Sequence, residues 1–151
     1  MSDHSQIIDD VQQHMISSGL ASSDSIIGCS EGEIQALEKQ YDIRFPAIYR
    51  TFLARMGHGA GDFYVGTNWT YPDLSDLRRA GESLIGEARV SYRLPNDVFV
   101  FAMHQGYSFP FFHSVNDDPS VWLYEEWMEK PKEVAASFSC WLRDTVAEHI
   151  H

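Results

Sequence analysis

Basic residues are scarce in this chain: 11 Lys and Arg stand against 22 Asp and Glu, a formal charge of −11 over 151 residues. Phosphate backbones are held by basic footprints, so direct binding to nucleic acid is not expected. Cysteine is nearly absent. Cys29 and Cys140 are far apart and lack metal-type spacing, so neither disulfide staples nor a zinc-finger scaffold is expected. No apolar run approaches the roughly 20 residues needed to span a bilayer. The opening Asp3-His4-Ser5-Gln6 lacks the basic and apolar regions of a secretory signal. Together these absences predict a cytoplasmic protein with free thiols and no membrane contact.

Catalytic signatures are missing too. There is no Gly-x-Ser-x-Gly, no phosphate-cradling glycine loop and no cysteine in a nucleophile motif. Gly57-His58-Gly59-Ala60-Gly61 is glycine-rich but follows a helix rather than leading from a strand into one, and His58 to Gly61 reads as a tight turn. The acid pairs Asp117-Asp118 and Glu125-Glu126 are sequence neighbours, and neighbours on a strand point to opposite faces. Asn116-Asp117-Asp118-Pro119 reads as turn chemistry. Histidines are more numerous, but His104, His113, His149 and His151 show no fixed ligand spacing. The expectation is a non-enzyme without metal or other cofactor.

What the chain does have is apolar and aromatic substance, 44% and 13% of residues, at a length of about one domain. Residues 5–18 read as a first helix, with Ile7, Ile8, Val11 and Met15 on one face. Ser30 and Glu33 have the spacing of a capping box, opening a helix that carries Ile34, Leu37 and Tyr41. Asp42 to Phe45 reads as extended, and Pro46 suits the first position of a second helix bearing Ile48, Tyr49, Phe52, Leu53 and Met56. Gly57 is expected to stop it in a left-handed conformation. Asp62 to Val65 reads as a strand and Trp69 to Pro72 as a loop. A helix capped by Asp73 or Ser75 then carries Leu74, Leu77, Leu84 and Ile85, weakened by Gly81 and Gly86. Strands are predicted at 98–103, at 109–115 with an edge or bulge near Pro110, and at 121–124. A helix over 134–150 closes the chain. The fold class expected is α+β, a single domain with a small antiparallel β-meander packed against several α-helices.

The Ser30–Gly57 stretch (acidic-x-x-Ile-x-x-Leu-Glu, then Ile43-x-Phe45-Pro46-x-x-Tyr49-x-x-Phe52-Leu53, then Gly57) resembles the opening motif of the SUKH superfamily. These are domains similar to fungal Smi/Knr cell-wall regulators and to bacterial toxin-immunity proteins. The likeness continues through Leu94-Pro95, Val98 to Ala102, Gln105-Gly106, Phe111-Phe112, Asp118-Pro119-Ser120-Val121 and Ser137-Phe138-Ser139, covering about residues 30–142. Asp42 stands where members often place Gly.

The resemblance implies an immunity protein that binds and neutralises a cognate polymorphic toxin, often a nuclease. Its alternative is a regulatory or scaffold module similar to the Smi/Knr proteins. Charge patterning fits a basic protein partner. From Leu94 to Glu129 there are six carboxylates and no Lys or Arg, interleaved with Tyr107, Trp122, Tyr124 and Trp127. Charges steer encounter and aromatics anchor contact. The candidate partner-binding residues are Asp117, Asp118, Glu125, Glu126, Trp127 and Glu129, whereas Trp122, in an apolar strand, reads as core. A homodimer is compatible with the sequence and not specified by it.

Overall fold

The computed structural model describes residues 4–150. In chain order the elements are α1 (His4–Ser17), β1 (Ile26–Ile27), α2 (Glu31–Tyr41), α3 (Ala47–Met56), β2 (Gly59–Ala60), β3 (Thr67–Asn68) and α4 (Tyr71–Glu87). They continue with β4 (Val98–Val100), β5 (Met103–His104), β6 (Ser108–His113), β7 (Val121–Glu125), β8 (Lys132–Ala135) and α5 (Phe138–Glu148). β1 and β2 form a two-stranded ribbon. The remaining strands make one antiparallel sheet in the order β3-β5-β6-β7-β8, with β4 also paired to β6. This is the α+β arrangement of helices on an antiparallel meander that the sequence predicts.

The opening helix pair is built from its caps. Ser30 Oγ accepts from Glu33 N at 3.1 Å, and Glu33 Oε1 accepts from Ser30 N at 2.9 Å, completing the capping box. Glu38 then ties α2 to α3: its Oε2 accepts from Phe45 N at 2.7 Å, and Arg50 donates to both its oxygens. Arg50 also reaches Glu31 at 2.8 Å. Arg50 and Gln35 hold the Glu31 carboxyl below its ordinary range. Burial pushes Glu38 upward, but the bonds from Arg50 and Phe45 outweigh it and its carboxyl too is lowered.

Aromatic rings join the layers. Tyr49 of α3 packs against Phe45, Phe52, Phe99, Phe101, Phe112 and Phe138 at centroid distances from 5.1 to 6.1 Å. One face of β4 and β6, together with Phe101, is thereby sealed by α3 and α5. The opposite face meets α4 at Gly81, where a Cβ would stand 3.0 Å from the Phe109 ring. Gly81 thus costs helix propensity but lets α4 settle on the sheet. Trp122 is partly buried against the core, edge-on to His113.

Several local expectations are corrected. Asp42 is a left-handed C-cap, φ +53°, rather than extended, which explains why glycine suits the position. Gly57 is right-handed, φ −65°; it is needed because a Cβ would lie 2.4 Å from Cys29 Sγ. Pro46 is the N-cap, one residue before the helix. In the expected turn at 58–61, Gly59-Ala60 pairs with Ile26-Ile27 instead. Residues 62–65 are turns, since Gly61 and Tyr64 both have positive φ, and the strand falls at Thr67–Asn68. The helix predicted after Asp73 already begins at Tyr71, with Thr70 as N-cap.

The long apolar strand is split at Phe101-Ala102, and this accommodates Pro110 inside a central strand. Even-numbered β6 residues turn their backbone toward β4 and β5, as Ser114 N does in donating to Asp97 O at 2.8 Å. The Pro110 ring nitrogen therefore faces the gap in the neighbouring strand. Finally, residues 132–135 form β8 along β7, and the last helix starts only after its Ser137 cap, whose side chain accepts from Cys140 N.

Two stability tests follow from the α2–α3 clamp and its aromatic floor. The Tyr49 hydroxyl is buried and has no hydrogen-bond partner among the described residues, so Tyr49→Phe should raise stability by about 1 kcal/mol in denaturant melts. A loss of that size would show that the hydroxyl is satisfied. Because Glu31 and Glu38 are depressed in the folded state, their contribution is full above about pH 4.3 and is lost as pH falls through their folded values. The stability gap between wild type and Arg50→Gln should therefore narrow on acidification, and a constant gap would contradict the clamp.

Candidate functional site

The six candidate binding residues fall at two ends of the sheet. Antiparallel connectivity puts the β6–β7 loop, with Asp117 and Asp118, at one end of β7, and the β7–β8 turn, with Glu126, Trp127 and Glu129, at the other. The five residues of β7, about 17 Å of strand, separate them. One continuous patch is excluded by this geometry.

At the Asp117 end the Asp117 backbone and the Asp118 carboxylate serve the fold. Asn116 Oδ1 accepts from Asp118 N at 2.9 Å, the turn expected from the sequence. The Asp117 carbonyl accepts from Ile48 N at 3.0 Å, supplying the N-terminus of α3 with a partner that its Pro46 cap lacks. The Asp118 carboxylate accepts from Ser139 N at 3.0 Å and from Ser139 Oγ at 2.6 Å, in the first turn of α5. Ser114 Oγ donates to the Arg44 carbonyl, closing the same corner. The Asp117 side chain itself is exposed.

At the other end the groups point outward. Glu125, Glu126, Trp127 and Glu129 are all exposed, Trp127 by 66%. Tyr107, in the β5–β6 turn, belongs to this end: its carbonyl accepts from Glu126 N at 2.8 Å, and its side chain is exposed. The turn is braced from inside by Met128 N donating to Glu125 O at 3.1 Å and Tyr124 Oη donating to Met128 O at 2.7 Å. Trp127 occupies it with φ +73°, a left-handed value that glycine normally takes. Lys130 and Lys132 follow directly, so the acidity of this end is less complete than the Lys-free run through Glu129 suggests. Sequence reading had no signal for the left-handed backbone, and it did not join Tyr107 to Trp127.

Two further clusters were not anticipated. His113 Nδ1 lies 3.1 Å from Asp97 Oδ1, beside a shallow cleft of about 210 Å³ that Ser120 also lines. Ser120 Oγ donates to the Ala136 carbonyl at 3.2 Å, so its proton is not directed at the imidazole as a nucleophile's would be. Cys29, Glu33 and His58 come together beside the capping box, their ligand atoms within 4.8 Å of one another. Burial, then Glu33, pushes the Cys29 thiol up to about 12. Ser30 and His58 hold the Glu33 carboxyl below its usual range. His151 lies outside the described residues.

Capped helices on a small meander, with exposed acids and aromatics on turns, make up an α+β domain. The model of the SMI1 / KNR4 family (SUKH-1) matches residues 28–144, and the chain belongs to this family. Members of that family are immunity or regulatory proteins that act through protein partners and are not typical enzymes. No curated protein matches the chain. Among the described residues no helix is long and apolar enough to cross a membrane.

The two ends should respond oppositely to substitution. Asp118→Ala leaves the buried Ser139 hydroxyl and amide short of an acceptor and should cost about 1–3 kcal/mol, with Asp118→Asn milder. Trp127→Gly relieves the left-handed strain and should raise the melting temperature, by the equivalent of about 1 kcal/mol. Equal destabilisation by both would contradict the division.

Proposed function

We propose that this chain is a cytoplasmic immunity protein that binds a basic polymorphic toxin, a nuclease or other nucleic-acid-directed enzyme, and blocks it stoichiometrically. The carrying observation is Trp127, an exposed indole held in a backbone conformation that disfavours it. Such strain persists where the surroundings enforce it, and it clusters at functional sites. Tyr107 and Trp127 supply apolar anchors, while Glu125, Glu126 and Glu129 supply steering charge toward a positive cleft. The net charge of −11 adds long-range attraction to such a cleft. Asp117 and Asp118, at the far end, are assigned to the fold in this reading.

The open reading frame beside the chain's own names the partner to test. Co-purification with its product as a 1:1 complex, with loss of toxicity, is the expected result. Reversing Glu125, Glu126 and Glu129 to Lys should slow association and flatten its salt dependence. Trp127→Gly should weaken binding by at least about 2 kcal/mol, roughly 30-fold, mainly through faster dissociation. Unchanged kinetics in both variants would overturn the site, and a host signalling protein as sole partner would replace immunity with the regulatory reading.

A further inference from the structure

The Cys29–Glu33–His58 cluster draws on three segments, two tied by backbone bonds and the third by the capping box. Cys29 N donates to Leu53 O and His58 N donates to Ile27 O, each at 2.8 Å, while Ser30 and the first turn of α2 fix Glu33. The Tyr71 ring, 5.2 Å from the His58 ring, sets the imidazole's position. The absent Cβ of Gly57 makes room for the Cys29 sulfur. His58 Nε2 lies 3.0 and 3.1 Å from the two Glu33 oxygens.

We propose that Cys29 Sγ, Glu33 and His58 Nε2 bind a zinc ion, with water as the fourth ligand. Thiolate, imidazole and carboxylate together suit Zn²⁺ in a tetrahedral site, whereas Ca²⁺ and Mg²⁺ take oxygen ligands. Zinc–ligand bonds of about 2.0–2.3 Å place tetrahedral neighbours about 3.3–3.6 Å apart, so the His58–Glu33 contact opens by only a few tenths of an ångström. The sulfur is buried, while His58 and Glu33 are 29% and 33% exposed, leaving that side for entry and for the water. Without metal, Nε2–H donates to the Glu33 carboxylate. On binding, the Nε2 lone pair goes to zinc, the ring proton resides on Nδ1, and the thiol proton is released to solvent. No electron transfer is involved, and affinity rises with pH because protons are displaced. The ion would pin the entry to α2 against the exit from α3.

The probe is Co²⁺, titrated into untagged, chelator-treated protein carrying Cys140→Ser, which removes the exposed second thiol. One equivalent should bind, giving a near-ultraviolet sulfur-to-cobalt charge-transfer band and tetrahedral visible bands, both displaced by Zn²⁺. Cys29→Ser should abolish the charge-transfer band. His58→Gln, and Glu33→Gln, which keeps a capping acceptor, should weaken binding by at least the 10- to 100-fold typical of an outer-shell change. His58→Gln keeps the test decisive if Cys29→Ser folds poorly. No charge-transfer band, or cobalt affinity indifferent to His58→Gln, overturns the site.

Discussion

The ring of Tyr49 is the contact on which both layers of the molecule depend. It stands where α3, the start of α5 and the inner strands converge, surrounded by phenylalanine rings from each. Such pairs add about 0.5–1.5 kcal/mol each beyond area burial. A shift of α3 along the sheet would break several at once, so α3 has one seat. Glu38 secures that seat from the polar side: a single carboxylate receives the Phe45 amide and the Arg50 guanidinium, fixing the link just before the aromatic face. Apolar contact sets the layer, and the charged clamp sets the approach.

From that seat follows the division of labour at the two ends of β7. The α3 and α5 N-termini open toward the β6–β7 loop, and the backbone of Asp117 and carboxylate of Asp118 satisfy them. The Asp118 carboxylate is therefore committed to the fold, while the Asp117 side chain stays exposed. The β7–β8 turn carries no helix end, and its groups are free to face outward. The turn is braced by the bond from Tyr124 to Met128, and in the proposed reading this holds Trp127 in place and lowers the ordering cost of an interface.

Much of the fold was legible because its signals are local. The Ser30–Glu33 box, the Pro46-to-Gly57 helix and the late strands each follow from signals within a few residues, and the structure keeps them with shifts at the ends. The misreadings occur where a distant neighbour decides. Gly57 reads as a helix stop, yet its lack of a side chain answers to Cys29, on the other side of α2 and α3. Val134 and Ala135 read as the start of the last helix, but pairing with β7 claims them for a strand. Pro110 is tolerated centrally because the strand beside it breaks. The same holds for sites: the acidic run was visible, but not its partition between ends. The Cys29–Glu33–His58 cluster was hidden because His58 reaches Glu33 only once the two helices fold back on each other.

The central claim is that the Trp127 end meets the partner, and tryptophan itself can report on it. The chain has four: Trp69, Trp122, Trp127 and Trp141. Labelled with 5-fluorotryptophan, each gives a separate ¹⁹F resonance, assigned by single Trp→Phe substitutions. On adding the product of the adjacent reading frame, the account predicts a large shift and broadening at Trp127, with the other three nearly unmoved. A stationary Trp127, with the shift at Trp122 beside the Asp97–His113 cleft, would contradict it.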